Sequence, residues 1–260
     1  MHVGVVLAGG NWPAVIEAAQ IADTASIDAI GFWDHFHSER LDYAPVSGWS
    51  VYGALAMLTK RIHLIPLVLD RPNYSIGVLA KESSILALIS QGRFELGIGI
   101  GDFPAEEAAW GLPAYPDPRT RITELQETIA ALRCVWSGEQ VDFSGQYVQL
   151  HQAGCRPAPP TAPRVVVGAG SSRRLVQSAV QYADEINVYN DPELVQFART
   201  SIATTNRHVD VSVAIDEWED WDRAVEDLAA WNALGVSRVF VTLYQPYTFL
   251  PQLCDLVRML

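Results

Sequence analysis

The stretch Gly92-Arg-Phe-Glu-Leu-Gly-Ile-Gly-Ile-Gly-Asp-Phe-Pro-Ala-Glu-Glu107 decides how the chain is read. Gly97, Gly99 and Gly101 alternate with Leu96, Ile98 and Ile100, the period of a β-strand with one face almost bare of side chains. Glycine inside a strand weakens it and marks a place where another backbone or a ligand comes close. Two readings are open at this point. The stretch is either tight packing inside a barrel or the floor of a ligand site, with the Asp102 carboxyl group at its edge.

On both sides of this strand, strand-like and helix-like segments alternate. The N-terminal half reads as strands Val3–Ala8, Ala29–Trp33, Ile62–Leu69 and Phe94–Ile100, each followed by a helix: Trp12–Ala25, Ser50–Thr59, Ser75–Ser90 and Arg119–Trp136. Ser47 or Ser50 is the expected cap of the second helix. The C-terminal half reads as strands Arg164–Val167, Glu185–Val188, Val209–Ile215 and Arg238–Leu243, with helices Ser172–Tyr182, Pro192–Thr204, Trp218–Leu234 and Phe249–Met259. Eight βα pairs call for parallel strands and close most naturally into a (β/α)8 TIM barrel, an α/β fold. A small β-hairpin near residues 140–150, around Ser144-Gly145, interrupts the alternation. No linker or composition break divides residues 1–260, so a single domain is expected.

The bulk properties exclude several partners. A net charge of −12 repels nucleic acid and anionic membranes, and no apolar run reaches the roughly 18 residues of a membrane span. The N-terminus lacks the basic region of a signal peptide, and three scattered cysteines form no disulfide framework, so a reducing, cytoplasmic setting is expected. The six histidines are scattered and none is spaced as a metal ligand pair, so no metal site is expected.

Side chains just past the strand ends of such a barrel face its active site. After the second strand comes Trp33-Asp34-His35-Phe36-His37, where His35 can exchange a proton near neutral pH and Asp34 could orient its ring. After the third come Asp70 and Arg71, read either as site residues or as a surface ion pair capping the next helix. After the fifth, Val167-Gly-Ala-Gly-Ser-Ser-Arg-Arg174 puts two glycines, two serines and two arginines at a strand-to-helix turn. There Ser171, Ser172, backbone N–H groups and Arg173 or Arg174 can cradle an oxyanion. Trp218, Trp221 and Trp231 read as packing on the barrel exterior or at a subunit contact.

Taken in order, four pieces resemble the luciferase-like monooxygenase superfamily, in particular its coenzyme F420-dependent oxidoreductase branch. They are Gly31-Phe-Trp-Asp-His-Phe36; Leu79-Ala-Lys-Glu82 leading into Leu88–Gly101; Arg121–Trp136; and Val167-Gly-Ala-Gly170 followed by Ala183-Asp184. The resemblance implies an oxidoreductase that passes hydride between a bound deazaflavin, F420, and a small organic substrate. It implies a cofactor ring lying at the barrel mouth near Asp34, Gly99 and Gly101, over a bulge around Val68, Leu69 and Asp70 that often holds a non-prolyl cis peptide. It places the phosphate at Gly168, Ala169, Gly170, Ser171 and Ser172 with Arg173, makes His35 the base and puts Asp102 at the ring edge or as the acid. A homodimer built through helices near the second and third strands is also implied. The departure is Glu39, where sugar-phosphate dehydrogenases of this branch carry tryptophan. Two other readings of the same residues remain open: an FMN-dependent monooxygenase on the same barrel, and a non-catalytic ligand- or cofactor-binding barrel.

Overall fold

The computed structural model describes residues 1–36, 46–101, 103–112, 116–245 and 247–259. The first half of the chain runs β1 (His2–Ala8), α1 (Trp12–Thr24), β2 (Ala29–Gly31), α2 (Trp49–Leu58), β3 (His63–Leu64), β4 (Leu69–Asp70), α3 (Ile76–Ile89), β5 (Leu96–Gly99), α4 (Pro104–Ala109) and α5 (Pro118–Val135). A hairpin of β6 (Val141–Ser144) and β7 (Gln149–Ala153) follows. The second half runs β8 (Val165–Gly170), α6 (Arg173–Ala179), β9 (Glu185–Tyr189), α7 (Pro192–Ala203), β10 (Asp210–Asp216), α8 (Ala224–Ala233), β11 (Arg238–Tyr244) and α9 (Leu250–Met259).

One parallel sheet runs in the order β3-β2-β1-β11-β10-β9-β8-β5-β4. Its two ends, β3 and β4, are halves of a single barrel strand. Leu64 of β3 also bridges Phe94 just before β5: Leu64 N–H donates to Arg93 O at 3.0 Å and Glu95 N–H to Leu64 O at 3.0 Å. The sheet thereby closes on itself as the expected TIM barrel. The third strand, read from sequence as one run over Ile62–Leu69, is broken at 65–68, and its Leu67–Val68 peptide bond is cis. The break thus starts at Ile65, three residues before the Val68–Asp70 bulge that the family resemblance placed, with the cis bond at its Val68 end.

This broken strand accounts for the glycines opposite it. A Cβ on Gly97 would stand 1.7 Å from the Pro66 carbonyl oxygen, and one on Gly31 would stand 2.6 Å from that of Ile65. A Cβ on Gly99 would meet Val68 Cγ2 at 2.9 Å, and one on Gly168 would meet Val68 Cγ1 at 2.7 Å. The bare face of β5 is therefore filled by the bulge of the neighbouring strand. Of the two readings, packing holds for Gly97, while Gly99 supports a side chain that itself faces the cavity described below.

Residues at i, i+2 and i+4 point the same way along a strand, and this sorts the barrel interior into layers. On β11 they are Arg238, Phe240 and Thr242. The Arg238 guanidinium lies at the N-terminal floor with Glu95 at 3.2 Å, Asp28 at 3.1 Å and Glu185 at 3.6 Å, and Arg164 reaches Glu185 at 3.3 Å. Burial alone would depress the Arg238 pKa, but Glu185, Glu95 and Asp28 outweigh it and hold it above that of an ordinary arginine. Burial likewise pushes Glu95 up, yet His63 and Arg238 leave it below the usual carboxylate range. Above this charged floor sits an apolar plug of Val6, Ala29, Ile65, Leu67, Val166 and Phe240. The larger apolar core fills the space between the strands and the outer helices.

Local details depart from expectation in instructive ways. Helix α2 is capped by Gly48 at φ +100° with no side-chain bond, because Ser50 already lies inside the helix and Ser47 one residue before the cap. A short helix, α4, occupies what reads from sequence as loop after the glycine strand; Pro104 at its start supplies the preset φ. The predicted Trp218–Leu234 helix begins only at Ala224, after a 3-10 turn over Trp221–Arg223. The hairpin runs to Ala153, and its turn is held by Glu127 of α5, whose carboxylate accepts the N–H groups of Gln146, Tyr147 and Val148 at 2.8–2.9 Å.

Candidate active site

A cavity of about 1310 Å³ opens at the C-terminal end of the barrel strands. It is larger than the roughly 300–1,000 Å³ of most small-molecule sites, which leaves space for two ligands side by side. Its wall gathers most of the residues singled out from sequence: Asp34 and His35, then Val68 and Asp70, Gly99 and Gly101, and the turn Gly168–Ser172. Asp102, His37 and Glu39 lie outside the described residues.

His35 enters from the segment after β2 with its side chain 19% exposed. Its Nδ1 stands 3.1 Å from Glu106 Oε2, and Glu106 Oε1 accepts the backbone N–H of Phe36. The Phe103 ring meets the imidazole edge-on at 4.6 Å, and Trp33 does so at 6.4 Å. Asp34, expected to orient this histidine, serves another purpose. It accepts the Tyr74 hydroxyl at 2.8 Å and the Asp70 N–H at 3.0 Å, tying β4 to the end of β2. Burial pushes its pKa up, although both hydrogen bonds oppose this. The donors it needs come from the bulged strand, so its carboxylate braces the cavity wall.

The bulge and the glycine turn form the next part of the wall. Val68 wedges between Gly99 and Gly168, each of which leaves room for it by lacking a Cβ. Leu69, the next residue, points the other way and is buried in the outer core at 1% exposure, so its side chain does not line the cavity. Arg71 does not pair with Asp70 across the surface; its Nε donates to Thr128 Oγ1 at 2.7 Å and its Nη1 to Tyr74 O at 3.3 Å.

The Gly168–Ser172 turn is partly closed on itself. Ser172 N–H donates to Ala169 O at 2.8 Å, and Ser172 Oγ accepts from Leu175 N at 3.2 Å, capping α6. The Ser171 and Ser172 hydroxyls and the N–H groups of Arg173 and Arg174, the first two of α6, which lack intrahelical acceptors, remain as donors for an anion. Gly170 adopts φ +52°, and a Cβ there would meet the Tyr189 ring at 3.2 Å. Arg173 is turned away: it lies 3.6 Å from Glu193 and 5.0 Å over the Phe197 ring, outside the cavity lining. Its aromatic and acidic neighbours on α7 hold it there, so the cation that sequence placed on the phosphate is not supplied by Arg173 in this conformation.

Several residues that line or support the site went unread in the sequence. Glu106 carried a weak signal, a Pro-Ala-Glu-Glu-Ala-Ala run that suits a helix start. Asn187 and Thr242 are buried polar residues on the cavity side of β9 and β11, and Asn187 Nδ2 donates to Ser212 Oγ at 3.0 Å. Trp218 and Trp231 border the cavity instead of the barrel exterior, whereas Trp221 packs on Phe249 with ring centroids 5.1 Å apart. Arg121 of α5 reaches the same wall and donates to the carbonyls of Gly101 and Ile100, which anchors the end of the glycine stretch. Among the described residues, no group of three or more metal-ligating side chains could hold an ion, and no helix is long and apolar enough to cross a membrane.

A closed parallel barrel with a bulged third strand, a histidine at its second strand end and a glycine turn after its fifth is, as a class, a TIM barrel with a ligand-sized site at its C-terminal mouth. The family model for luciferase-like monooxygenases matches residues 1–216, and the chain belongs to that family. An F420-dependent glucose-6-phosphate dehydrogenase of Amycolatopsis mediterranei is 26% identical over 242 residues, covering 86% of this chain and 71% of the relative. Another of the same description, from Nakamurella multipartita, is 29% identical over 239 residues, covering 85% and 68%. Among solved structures, an F420-dependent secondary alcohol dehydrogenase in complex with an F420-acetone adduct superposes with a TM-score of 0.82 at 14% identity, covering 96% of this chain and 95% of that one.

Proposed function

We propose that the chain is an F420-dependent oxidoreductase that moves hydride between the deazaflavin and a carbinol carbon of a small organic substrate. The observation that carries this is the shielded His35 on the wall of a cavity whose other walls are the Val68 bulge and the Gly168–Ser172 turn. The relatives' substrates, a sugar phosphate and secondary alcohols, share a carbon bearing both a hydrogen and a hydroxyl. Oxidation of such a carbon releases a hydride and a proton, and the two need different acceptors.

The residues present fit the cofactor. Gly99 and Gly168 keep the backbone low around Val68, so a flat ring has a wall to lie against, and the Ser171 and Ser172 hydroxyls with the α6 N–H groups suit a phosphate. A protein of net charge −12 needs such a local donor cluster to hold an anionic cofactor. When bound, the deazaflavin supplies the hydride acceptor or donor. His35 takes the hydroxyl proton of the alcohol as it is oxidised and returns it in the reverse direction. Asp34 and Tyr74 keep the bulge in place, while Phe103 and Trp33 hold the imidazole against rotation and limit its contact with water. The same reading makes the protein a homodimer through α2 and α3. These neighbouring helices leave Met57, Leu58, Val78 and Leu88 in solvent, which supports that contact.

The test is anaerobic incubation of the purified protein with oxidised F420 and a panel of primary and secondary alcohols and hemiacetal sugars, with and without phosphate. At least one carbinol is expected to bleach the deazaflavin absorbance. His35→Ala is expected to slow that reaction by about 10²–10⁴-fold, the ordinary worth of a general base. No bleaching with any carbinol, or substrate-dependent oxygen uptake with reduced FMN instead, overturns the assignment.

A further inference from the structure

We infer that Glu106 is the positioning residue of the His35 base: its carboxylate holds the imidazole in the Nδ1–H tautomer and leaves the lone pair that receives the substrate proton on Nε2. The inference rests on the reading of His35 as the proton-exchanging group. It goes beyond that reading in assigning the atom and the residue that selects it.

The geometry is two-sided. Glu106 Oε2 lies 3.1 Å from His35 Nδ1, and its Oε1 accepts the N–H of Phe36, the next residue along. An ionised carboxylate has only acceptors, so the ring nitrogen facing it is the one that carries hydrogen. In a neutral imidazole the lone pair is then on the other nitrogen. The bond to Phe36 N–H matters as much as the one to the ring. It fixes the plane of the carboxylate, so Oε2 cannot swing off Nδ1 without abandoning a backbone donor. The Glu106 side chain is only 10% exposed, which limits replacement of either bond by water.

Among the described residues, no other carboxylate is bonded to the His35 ring. Asp34 precedes His35 in sequence, but its two oxygens are engaged by Asp70 N–H and the Tyr74 hydroxyl. Glu106 lies 71 residues further on, in the first turn of α4, and α4 is further joined to the segment after β2 by the Phe36–Trp110 ring contact at 5.8 Å. The base is therefore oriented from a separate element, and a displacement of α4 would release the ring.

The isosteric variant Glu106→Gln separates this role from mere packing. Glutamine offers one acceptor and one donor end. With Phe36 N–H claiming the acceptor, the amide NH₂ faces Nδ1 and drives the ring to the Nε2–H tautomer. Glu106→Asp keeps two acceptors on a shorter arm. The first readout needs no cofactor: two-bond ¹H–¹⁵N spectra of histidine-labelled protein, with His35→Ala supplying the assignment and thermal melts confirming folding. The wild type is expected to show His35 as Nδ1–H, Glu106→Gln as Nε2–H, and Glu106→Asp as Nδ1–H again. The second readout is steady-state turnover with F420. In Glu106→Gln, kcat is expected to fall by about 100-fold or more, while KM stays within about threefold because uniform binding is untouched. Placed on His35→Ala, the same substitution is expected to change the rate by less than about twofold, since the two residues act as one unit. An Nε2–H wild type, a tautomer unchanged by Glu106→Gln, or rate losses that simply multiply would each overturn the assignment. If F420 fails to bind at all, the proposed function falls, and the tautomer spectra still decide the role of Glu106.

Discussion

Substituting the glycines that face the bulged strand is expected to give destabilisation graded by what each new methyl group meets. At Gly97 it meets the Pro66 carbonyl oxygen at 1.7 Å, where contact needs more than 3 Å. Backbone on both sides must separate by well over an ångström, and no rotamer relieves it. Gly97→Ala is therefore placed at or beyond the upper end of overpacking costs, about 3 kcal/mol. For a domain of this size that lowers Tm by roughly 6–12 °C. At Gly168 the methyl meets only the Val68 side chain, at 2.7 and 2.8 Å, so Gly168→Ala is expected to cost about 1–2 kcal/mol. Truncating the obstacle should recover that loss: Gly168→Ala with Val68→Ala is expected to be no less stable than Val68→Ala alone, a coupling of about 1–2 kcal/mol. Gly77 in α3 has nothing within 4 Å of a built Cβ, so Gly77→Ala is the control, expected to stabilise by about 0.4–1 kcal/mol. Urea unfolding followed by fluorescence and circular dichroism gives Cm and m for the set. A Gly97→Ala protein that melts within about 2 °C of wild type refutes the packing account of the glycine strand.

Three further outcomes follow from the same structure. Glu95 has a depressed folded pKa, so its contribution to stability is present above its unfolded value of 4.5 and is lost as pH falls through the folded value. Glu95→Gln should cost about 3–5 kcal/mol near pH 7, by leaving Arg238 short of a partner, and its stability-versus-pH curve should be flatter below pH 4.5 than the wild type's; an unchanged acid limb contradicts this. Asp34→Asn leaves one acceptor for two donors, so a loss of about 1–3 kcal/mol is expected, with weaker cofactor binding; a variant of wild-type Tm and affinity would remove Asp34 from the account. Sedimentation should find a dimer at micromolar concentration that Met57→Asp with Leu88→Asp converts to monomer, and a wild-type monomer counts against the α2–α3 contact.

The barrel is legible in the sequence because eight strand-like runs each lead into a helix-like one, which calls for parallel strands. The layering of its interior, with Arg238, Phe240 and Thr242 of β11 as charge, apolar plug and cavity wall, comes from the structure. The break in the third strand is not legible from pattern alone, since Ile62–Leu69 is apolar apart from His63 and reads as one run, and the cause lies across the sheet in Gly97, Gly99 and Gly168. For the same reason the glycine stretch looks like a ligand floor until its neighbour is known. His35 and the Gly168–Ser172 turn are found from their positions at strand ends, but the partner of His35 is not, because Glu106 is brought to it only by the fold. Arg173 fails in the opposite way: composition puts a cation beside the turn, and its Glu193 and Phe197 neighbours on α7 take the side chain elsewhere.

The most direct test of the central claim is a spectroscopic titration of the purified protein with F420, run in parallel with FMN. The account predicts saturable F420 binding that exceeds FMN binding and is weakened when Gly168→Ala disturbs the cavity wall at Val68. Absence of saturable F420 binding, or tighter binding of FMN, would contradict it.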